Sequence, residues 1–345
     1  MTTTPDRTDY IQVLPAANVE AALWLTSSNL GYPDPLLHGA HYWQQTLVAE
    51  ERTEQVDDVP ANQRNSGVMA ALFPDGHPYH RPVLGTADDL AATLPTDSVA
   101  FATNWHQPQE AILVVLGDVD KVAMHALVER YFAPLPAVLL PKRPVAPKEA
   151  PSGEQVLRSF DVGSTAAVRF AWRTPACFAD GDAESHLLAA ILDARLERHA
   201  EQRPGVVWSS VSNSAFENGG VFTLSLVGRE GASSADVQAI AEAQIEELRT
   251  RPPTSEELEW AERRRETGRL QRFDGAAGLV TWATALRDYR FFLGNADRAA
   301  WDLARYRAVT VFRIQTFAAA LLRPERRVVL LVEPTAGHEA QASAP

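Results

Sequence analysis

Val99-Ala-Phe-Ala-Thr-Asn-Trp-His-Gln-Pro-Gln-Glu-Ala-Ile-Leu-Val-Val-Leu-Gly117 has a counterpart near the other end of the chain. That counterpart is Val311-Phe-Arg-Ile-Gln-Thr-Phe, continuing through Leu322-Arg-Pro-Glu-Arg-Arg-Val-Val-Leu-Leu-Val-Glu333. Each reads as a helix carrying phenylalanine, then a proline link, then an apolar strand. Ala111–Gly117 is a continuous apolar run of strand length closed by glycine, which predicts a strand covered on both faces. Arg327–Glu333 predicts the closing strand of the second half. The repetition points to a duplicated α+β unit.

Between the two copies lies a stretch with Pro134, Pro136, Pro141, Pro144, Pro147 and Pro151. Repeated proline forbids helix and favours an extended tether. The expected organisation is therefore a first domain over 1–135, a linker over 136–153, a second domain over 154–334 and a disordered tail over 335–345. In the first domain, Asp9–Leu14 alternates like a short strand. Helices are predicted from Asn18 to Gly31, from Leu36 to about Gln55, over Ser66–Phe73 and over Lys121–Phe132. Thr86 and Thr96 read as helix caps, each followed by acids in the first turn. In the second domain, strands are predicted over Gln155–Val162 and Ala166–Trp172, followed by a helix from Glu184 to about Gln202. Val206–Asn213 and Gly220–Val227 form a hairpin around Glu217-Asn-Gly-Gly. Helices then fill Ala235–Leu248, Ser255–Arg272 and Ala276–Leu293, with two more reaching Leu322. The stripe Trp282, Tyr289, Phe292 has helical spacing and reads as core.

Of the 345 residues, 46% are hydrophobic and 22% charged, and the formal net charge is −12. An acidic chain with its acids spread along its length argues against a polyanion-binding surface, so nucleic acid is not an expected partner. No apolar run has the roughly eighteen residues of a membrane helix, and no signal pattern opens the chain. The single cysteine, Cys177, can form neither an internal disulfide nor a thiolate zinc site alone. A cytoplasmic, reducing location is expected.

Several stretches carry a family resemblance. The strongest is Phe73-Pro-Asp-Gly-His-Pro-Tyr-His-Arg-Pro-Val-Leu-Gly-Thr-Ala-Asp-Asp-Leu90, followed by Trp105-His-Gln-Pro-Gln-Glu-Ala-Ile-Leu-Val-Val-Leu-Gly-Asp-Val-Asp120. Asp6-Arg-Thr-Asp-Tyr10 and Ala21-Ala-Leu-Trp-Leu25 fit as well. Together they resemble the insulinase/pitrilysin (M16) family of zinc peptidases, in its mitochondrial-processing-like branch. The resemblance implies two homologous α/β domains of the LuxS/mitochondrial-processing-peptidase type, each an antiparallel-rich sheet packed with helices. It also implies pairing with a homologous M16 subunit, as homodimer or heterodimer, around a cavity that holds a peptide. The family's zinc is held by His-x-x-Glu-His on a helix plus a distant glutamate, with the motif's glutamate as general base.

The chain departs from this pattern twice. It contains no His-x-x-Glu-His, and none of its nine histidines has that context. By resemblance Glu51 is the third metal ligand, so the motif helix and first strands would lie before Met1 and the first domain is N-terminally truncated. Glu51 is either an orphan ligand or a solvated helix glutamate. His38 and His41 with Glu50 or Glu51 are a weaker alternative metal set. The second departure falls on the family's substrate-carbonyl-binding arginine and tyrosine, which align with Glu201 and Trp208. Tryptophan has no hydroxyl and glutamate has the wrong charge for an oxyanion. No cofactor is expected in this chain, and zinc only if a missing segment or a partner supplies the motif.

Val206, Trp208 and Ser210 remain candidate peptide contacts, on a strand that is either a peptide-accepting edge or an ordinary sheet strand. His77-Pro-Tyr79 is read as a structural turn. Three functions follow: a non-catalytic subunit holding peptide beside an active homologue, a shortened zinc endopeptidase, or an assembly subunit without peptide binding.

Overall fold

The computed structural model describes residues 2–31, 45–52, 60–143, 145–148, 152–162, 165–198, 205–272 and 275–335. The expected tail beyond 335, most of the helix expected from Leu36, and Pro144 lie outside them. The chain's own contacts divide it into two compact units. One comprises Met1–Asp58, Val83–Val145 and Leu270–Arg298, the other Val59–Pro82, Ala146–Arg269 and Ala299–Pro345. The change at Val145/Ala146 falls inside the proline-rich stretch, yet each unit also takes in segments from the other half of the sequence.

The second unit is a mixed sheet covered by helices. Five strands, β3 (Gln155–Val162), β4 (Ala167–Thr174), β5 (Val206–Phe216), β6 (Gly219–Gly228) and β7 (Arg327–Thr335), line up in the order β3-β7-β4-β6-β5. Only β3 and β7 run parallel, and every other pairing is antiparallel. Side chains alternate across the sheet with the period of two that a pleated strand imposes. Val168, Phe170 and Trp172 of β4, Phe222, Leu224 and Leu226 of β6, and Val329 and Leu331 of β7 enter one core. Leu187, Leu188, Ile191 and Leu192 of the Asp182–Arg198 helix, Val237, Ala241 and Ile245 of Ser234–Thr250, and Ile314 and Ala318 of Val311–Leu321 meet them there. The opposite face of β7 presents Val328, Leu330 and Val332 to Val68, Leu72, Phe73 and Tyr79, which come from the Pro60–Leu72 helix and the turn after it. The apolar run of β7 is thus buried on both sides. Trp172 is fully buried and donates its indole N–H to the Arg323 carbonyl at 3.2 Å. At about 25 cal/mol per Å², burying so large a ring stabilises the fold by about 5 kcal/mol.

Local sequence explains the boundaries. Ser233 caps Ser234–Thr250 by accepting the Asp236 N–H, and the Asp236 carboxylate accepts back from Ser233. The β5–β6 hairpin turns on Glu217 and Asn218. Gly219 follows at φ 134°, and a Cβ on Gly220 would come within 2.7 Å of the Ser214 carbonyl oxygen. Only glycine fits both demands.

The first unit is mostly helical. Among the described residues its helices are Val19–Gly31, Ala87–Ala92, Pro95–Trp105, Lys121–Phe132 and Gly275–Leu293, and 45–52 is helical too. Glu20 accepts from Arg130 at 3.0 Å and from the Tyr131 hydroxyl at 2.7 Å, joining the first helix to Lys121–Phe132. Asp9 pairs with Arg287 at 2.5 Å.

Four expectations need correction here. Ala111–Gly117 forms no ladder among the described residues, and Ile112 (37%), Leu113 (43%) and Leu116 (37%) are exposed. An apolar run becomes a covered strand only where neighbours offer backbone partners and side chains, which the described residues of this unit do not supply around it. The strand expected over Asp9–Leu14 is confined to Thr8–Asp9, paired with Thr2–Thr3. The helix after Leu94 begins at Pro95, with the Asp97 carboxylate accepting the Leu94 N–H at 2.8 Å, so Thr96 is not its cap. Proline at the first helical position explains the shift. Finally, of the aromatic stripe on Gly275–Leu293 only Tyr289 is buried, and Trp282 is 37% exposed.

Candidate functional site

The β5–β6 hairpin holds the candidate peptide contacts. Among the described residues β5 is an outer strand, laddered to β6 alone. Val206 pairs with Gly228, Trp208 with Val227 and Ser210 with Ser225, and the register slips by one residue between Val206 and Trp208. Such a bulge sharpens the twist and turns the strand's start outward. Val207 is 59% and Trp208 53% exposed. Beyond Trp208 the sheet face is lined with hydroxyls: Ser212 and Thr223 hydrogen bond at 2.8 Å, and Ser225 accepts from Arg169 at 3.0 Å.

Three contacts hold the rest of β5. The Val211 N–H donates to the Asp193 carboxylate of the Asp182–Arg198 helix at 2.9 Å. The Phe216 carbonyl accepts from the Cys177 N–H at 2.8 Å. The Asn218 N–H donates to the Tyr79 hydroxyl at 2.9 Å. Tyr79 is packed between Phe73 and Phe216, with ring centroids at 5.2 Å from each. His77 lies 3% exposed beside them, its Nδ1 accepting from the Tyr79 N–H at 3.1 Å. Burial, with the nearby Arg173 guanidinium second, holds the His77 imidazole below its ordinary pKa. The turn read as structural is therefore a buried clamp on the hairpin.

Among the described residues just before Trp208, the arginines are already paired. Glu201 lies outside the described residues. The nearest arginines before it are committed: Arg195 Nη2 and Arg198 Nη2 each meet the Glu257 carboxylate at 2.7 Å. The hydrogen bond from Arg195, outweighing the cost of burial, pulls the Glu257 carboxyl down to about 2. All three guanidinium nitrogens of Arg195 are engaged, by Glu257 and the Arg251 and Pro252 carbonyls, whereas the Arg198 side chain is 57% exposed.

Of the candidate metal set only Glu50 and Glu51 fall among the described residues. Glu51 is exposed, His38 and His41 lie outside the described residues, and among the described residues no three His, Cys, Asp or Glu side chains come together to hold an ion. The residues described here do not fit a zinc site.

Sequence reasoning missed Asp193 and the network around Asp182. Asp182 is buried, pairs with Arg305 at 2.7 Å and accepts the N–H of Phe178, whose φ of 61° is left-handed. Arg305 also bonds Asp302 at 2.8 Å and lies over the Phe178 ring. Asp182 and Arg305 are 123 positions apart, and no local pattern announces their pairing.

Comparison with known proteins agrees with this geometry. Residues 95–264, just under half of the chain, match the family model described as the peptidase M16 inactive domain. An uncharacterized zinc protease of Mycobacterium leprae is 35% identical over 89 residues, covering 26% of this chain and 20% of that protein. The zinc protease PqqE of Helicobacter pylori is 28% identical over 130 residues, covering 38% of this chain and 29% of that one. The matched part is thus under a third of these relatives' length. A crystal structure of a protease from Helicobacter pylori superposes with a TM-score of 0.79 at 18% identity, covering 92% of this chain and 78% of that chain. A peptidase M16 inactive domain from Pseudomonas fluorescens gives 0.74 at 19% identity, covering 93% and 76%. At these identities the superpositions establish the fold. No helix among the described residues is long and apolar enough to cross a membrane.

Proposed function

We propose that this chain, whose residues 95–264 match the peptidase M16 inactive domain, is a non-catalytic M16-type subunit that pairs with an active, zinc-bearing homologue and holds extended peptide along β5. The observation that carries this reading is the start of β5: an outer strand whose Val207 and Trp208 are exposed beside an otherwise complete, helix-backed sheet. An outer strand offers peptide N–H and C=O groups in a row, and an exposed aromatic gives apolar side chains a surface to cover. The carbonyl-polarising chemistry is lost at Trp208, so the role is binding rather than cleavage.

The test is co-expression with a homologous M16 protein that carries His-x-x-Glu-His, followed by co-purification and peptide anisotropy. Co-purification together with peptide affinity that W208A reduces supports the reading. A stable monomer beside that homologue counts against it. Pairing without peptide affinity would leave an assembly subunit instead.

A second reading is favoured by the exposed run Ile112–Leu116, which has strand character and no ladder among the described residues. Here the functional protein is a zinc endopeptidase whose motif helix and additional strands are encoded upstream of Met1. In-frame translation of the upstream DNA decides it: a His-x-x-Glu-His supports the enzyme, and a stop codon ends that reading.

A further inference from the structure

Among the described residues, the hydrogen bonds that β5 makes outside its ladder fall at or beyond Val211. In an antiparallel ladder, residues alternate between directing both backbone groups to the neighbouring strand and directing both away from it. Val211 gives its N–H to Asp193 rather than to Leu224, the residue opposite it on β6. Val211 therefore faces outward, and so do Ser209 and Asn213, two positions to either side in an uninterrupted register. An added chain would bond to this outward set. The Asp193 carboxylate occupies the place at Val211 that the chain's carbonyl oxygen would need.

We propose that Asp193 is a positioning residue that stops strand addition at Val211 and confines an incoming peptide to Val206–Ser210. This rests on the peptide-holding role proposed above. The far end of β5 is also engaged, through Phe216 with Cys177 and Asn218 with Tyr79. The remaining segment, Val206–Ser210, carries the strand's exposed large apolar side chains, Val207 and Trp208. It is short enough to bond only two or three residues of an extended peptide, with an apolar side chain covering Trp208. Asp193 thus turns a long edge, a hazard for indiscriminate pairing, into a short one.

The test uses the full chain, a fluorescein-labelled ten-residue peptide alternating valine and threonine, and the variants D193A, D193N and W208A. Asparagine keeps an oxygen that accepts the Val211 N–H, so D193N should behave as wild type. D193A frees the edge. Its affinity should rise about five- to tenfold, the effect of one or two added backbone hydrogen bonds. Peptide-induced exchange protection should spread from Val206–Ser210 to Val211–Asn213. Without peptide, the Val211 amide should exchange faster in D193A and not in D193N, which shows that the contact was removed in a folded protein. Wild-type binding that D193A leaves unchanged in strength and footprint overturns this assignment alone, as does a gain in D193N equal to that in D193A. If none of the four proteins binds the peptide, the peptide-holding role falls and the assignment with it.

Discussion

The hydroxyl of Tyr79 accepts the backbone N–H of Asn218 at 2.9 Å, across 139 positions of sequence. Tyr79 is 2% exposed, and the bond ties the turn after Pro60–Leu72 to the tip of the β5–β6 hairpin. Tyr79→Phe keeps the ring contacts and removes the hydroxyl. The part-buried Asn218 N–H then lacks its partner, which costs about 1–3 kcal/mol. Thermal unfolding should show the loss, and an unchanged Tm would show that the hairpin tip is held by packing alone.

His77 makes the same clamp sensitive to acid. Its folded-state pKa lies below the ordinary 6.5. Above pH 6.5 both folded and unfolded chains carry it neutral and its contribution is complete. As pH falls below 6.5, the unfolded chain takes up a proton that the folded chain resists, so stability declines until the folded pKa is passed. Tm measured from pH 7.5 to 5.0 should fall more steeply in the wild type than in His77→Asn, whose side-chain oxygen can still accept the Tyr79 N–H. Parallel profiles would assign the decline to other histidines.

Glu257 acts in the opposite direction on the scale. Its carboxyl is held at about 2 against an ordinary 4.5, chiefly by the hydrogen bond from Arg195. That contribution is present above pH 4.5 and is lost as pH falls toward 2. Glu257→Gln leaves the Arg195 guanidinium, 7% exposed, without a counter-charge. We expect a loss of about 3 kcal/mol in urea unfolding at pH 7. A smaller loss than in an exposed pair such as Arg263 with Glu259 would overturn the claim that this pair is structural.

Burial separates the two apolar runs. Leu331→Ala in β7 removes a side chain 5% exposed and should cost about 2–5 kcal/mol. Leu113→Ser, at a side chain 43% exposed, should change stability by less than about 0.5 kcal/mol. A large loss from Leu113→Ser in the purified chain would mean that Ala111–Gly117 is covered after all.

Much of the second unit was legible in the sequence. Gln155–Val162 and Ser255–Arg272, like Lys121–Phe132 of the first unit, begin and end where composition and caps place them. The hairpin followed from Glu217-Asn-Gly-Gly and the alternation on either side of it. What failed was contextual. The residues of Ala111–Gly117 have the right character for a strand, but pairing is a property of neighbours. The site was legible only as a region: Val206, Trp208 and Ser210 share β5, whereas Asp193, which limits the strand, projects from a helix with no distinguishing motif. The Arg195–Glu257 pair joins positions 62 apart, a separation at which sequence pattern carries no signal.

The two matching stretches are built alike. Pro95–Trp105 leads through a single turn of 3-10 helix, Pro108–Glu110, into Ala111–Leu116, and Val311–Leu321 leads through Pro324–Arg326 into Arg327–Thr335. One molecule therefore holds the same sentence twice, once inside a sheet and once outside it. Any contrast between the two, in amide protection, in tolerance of polar substitution or in affinity for a foreign strand, measures what a sheet confers on a sequence, with the sequence itself serving as the control.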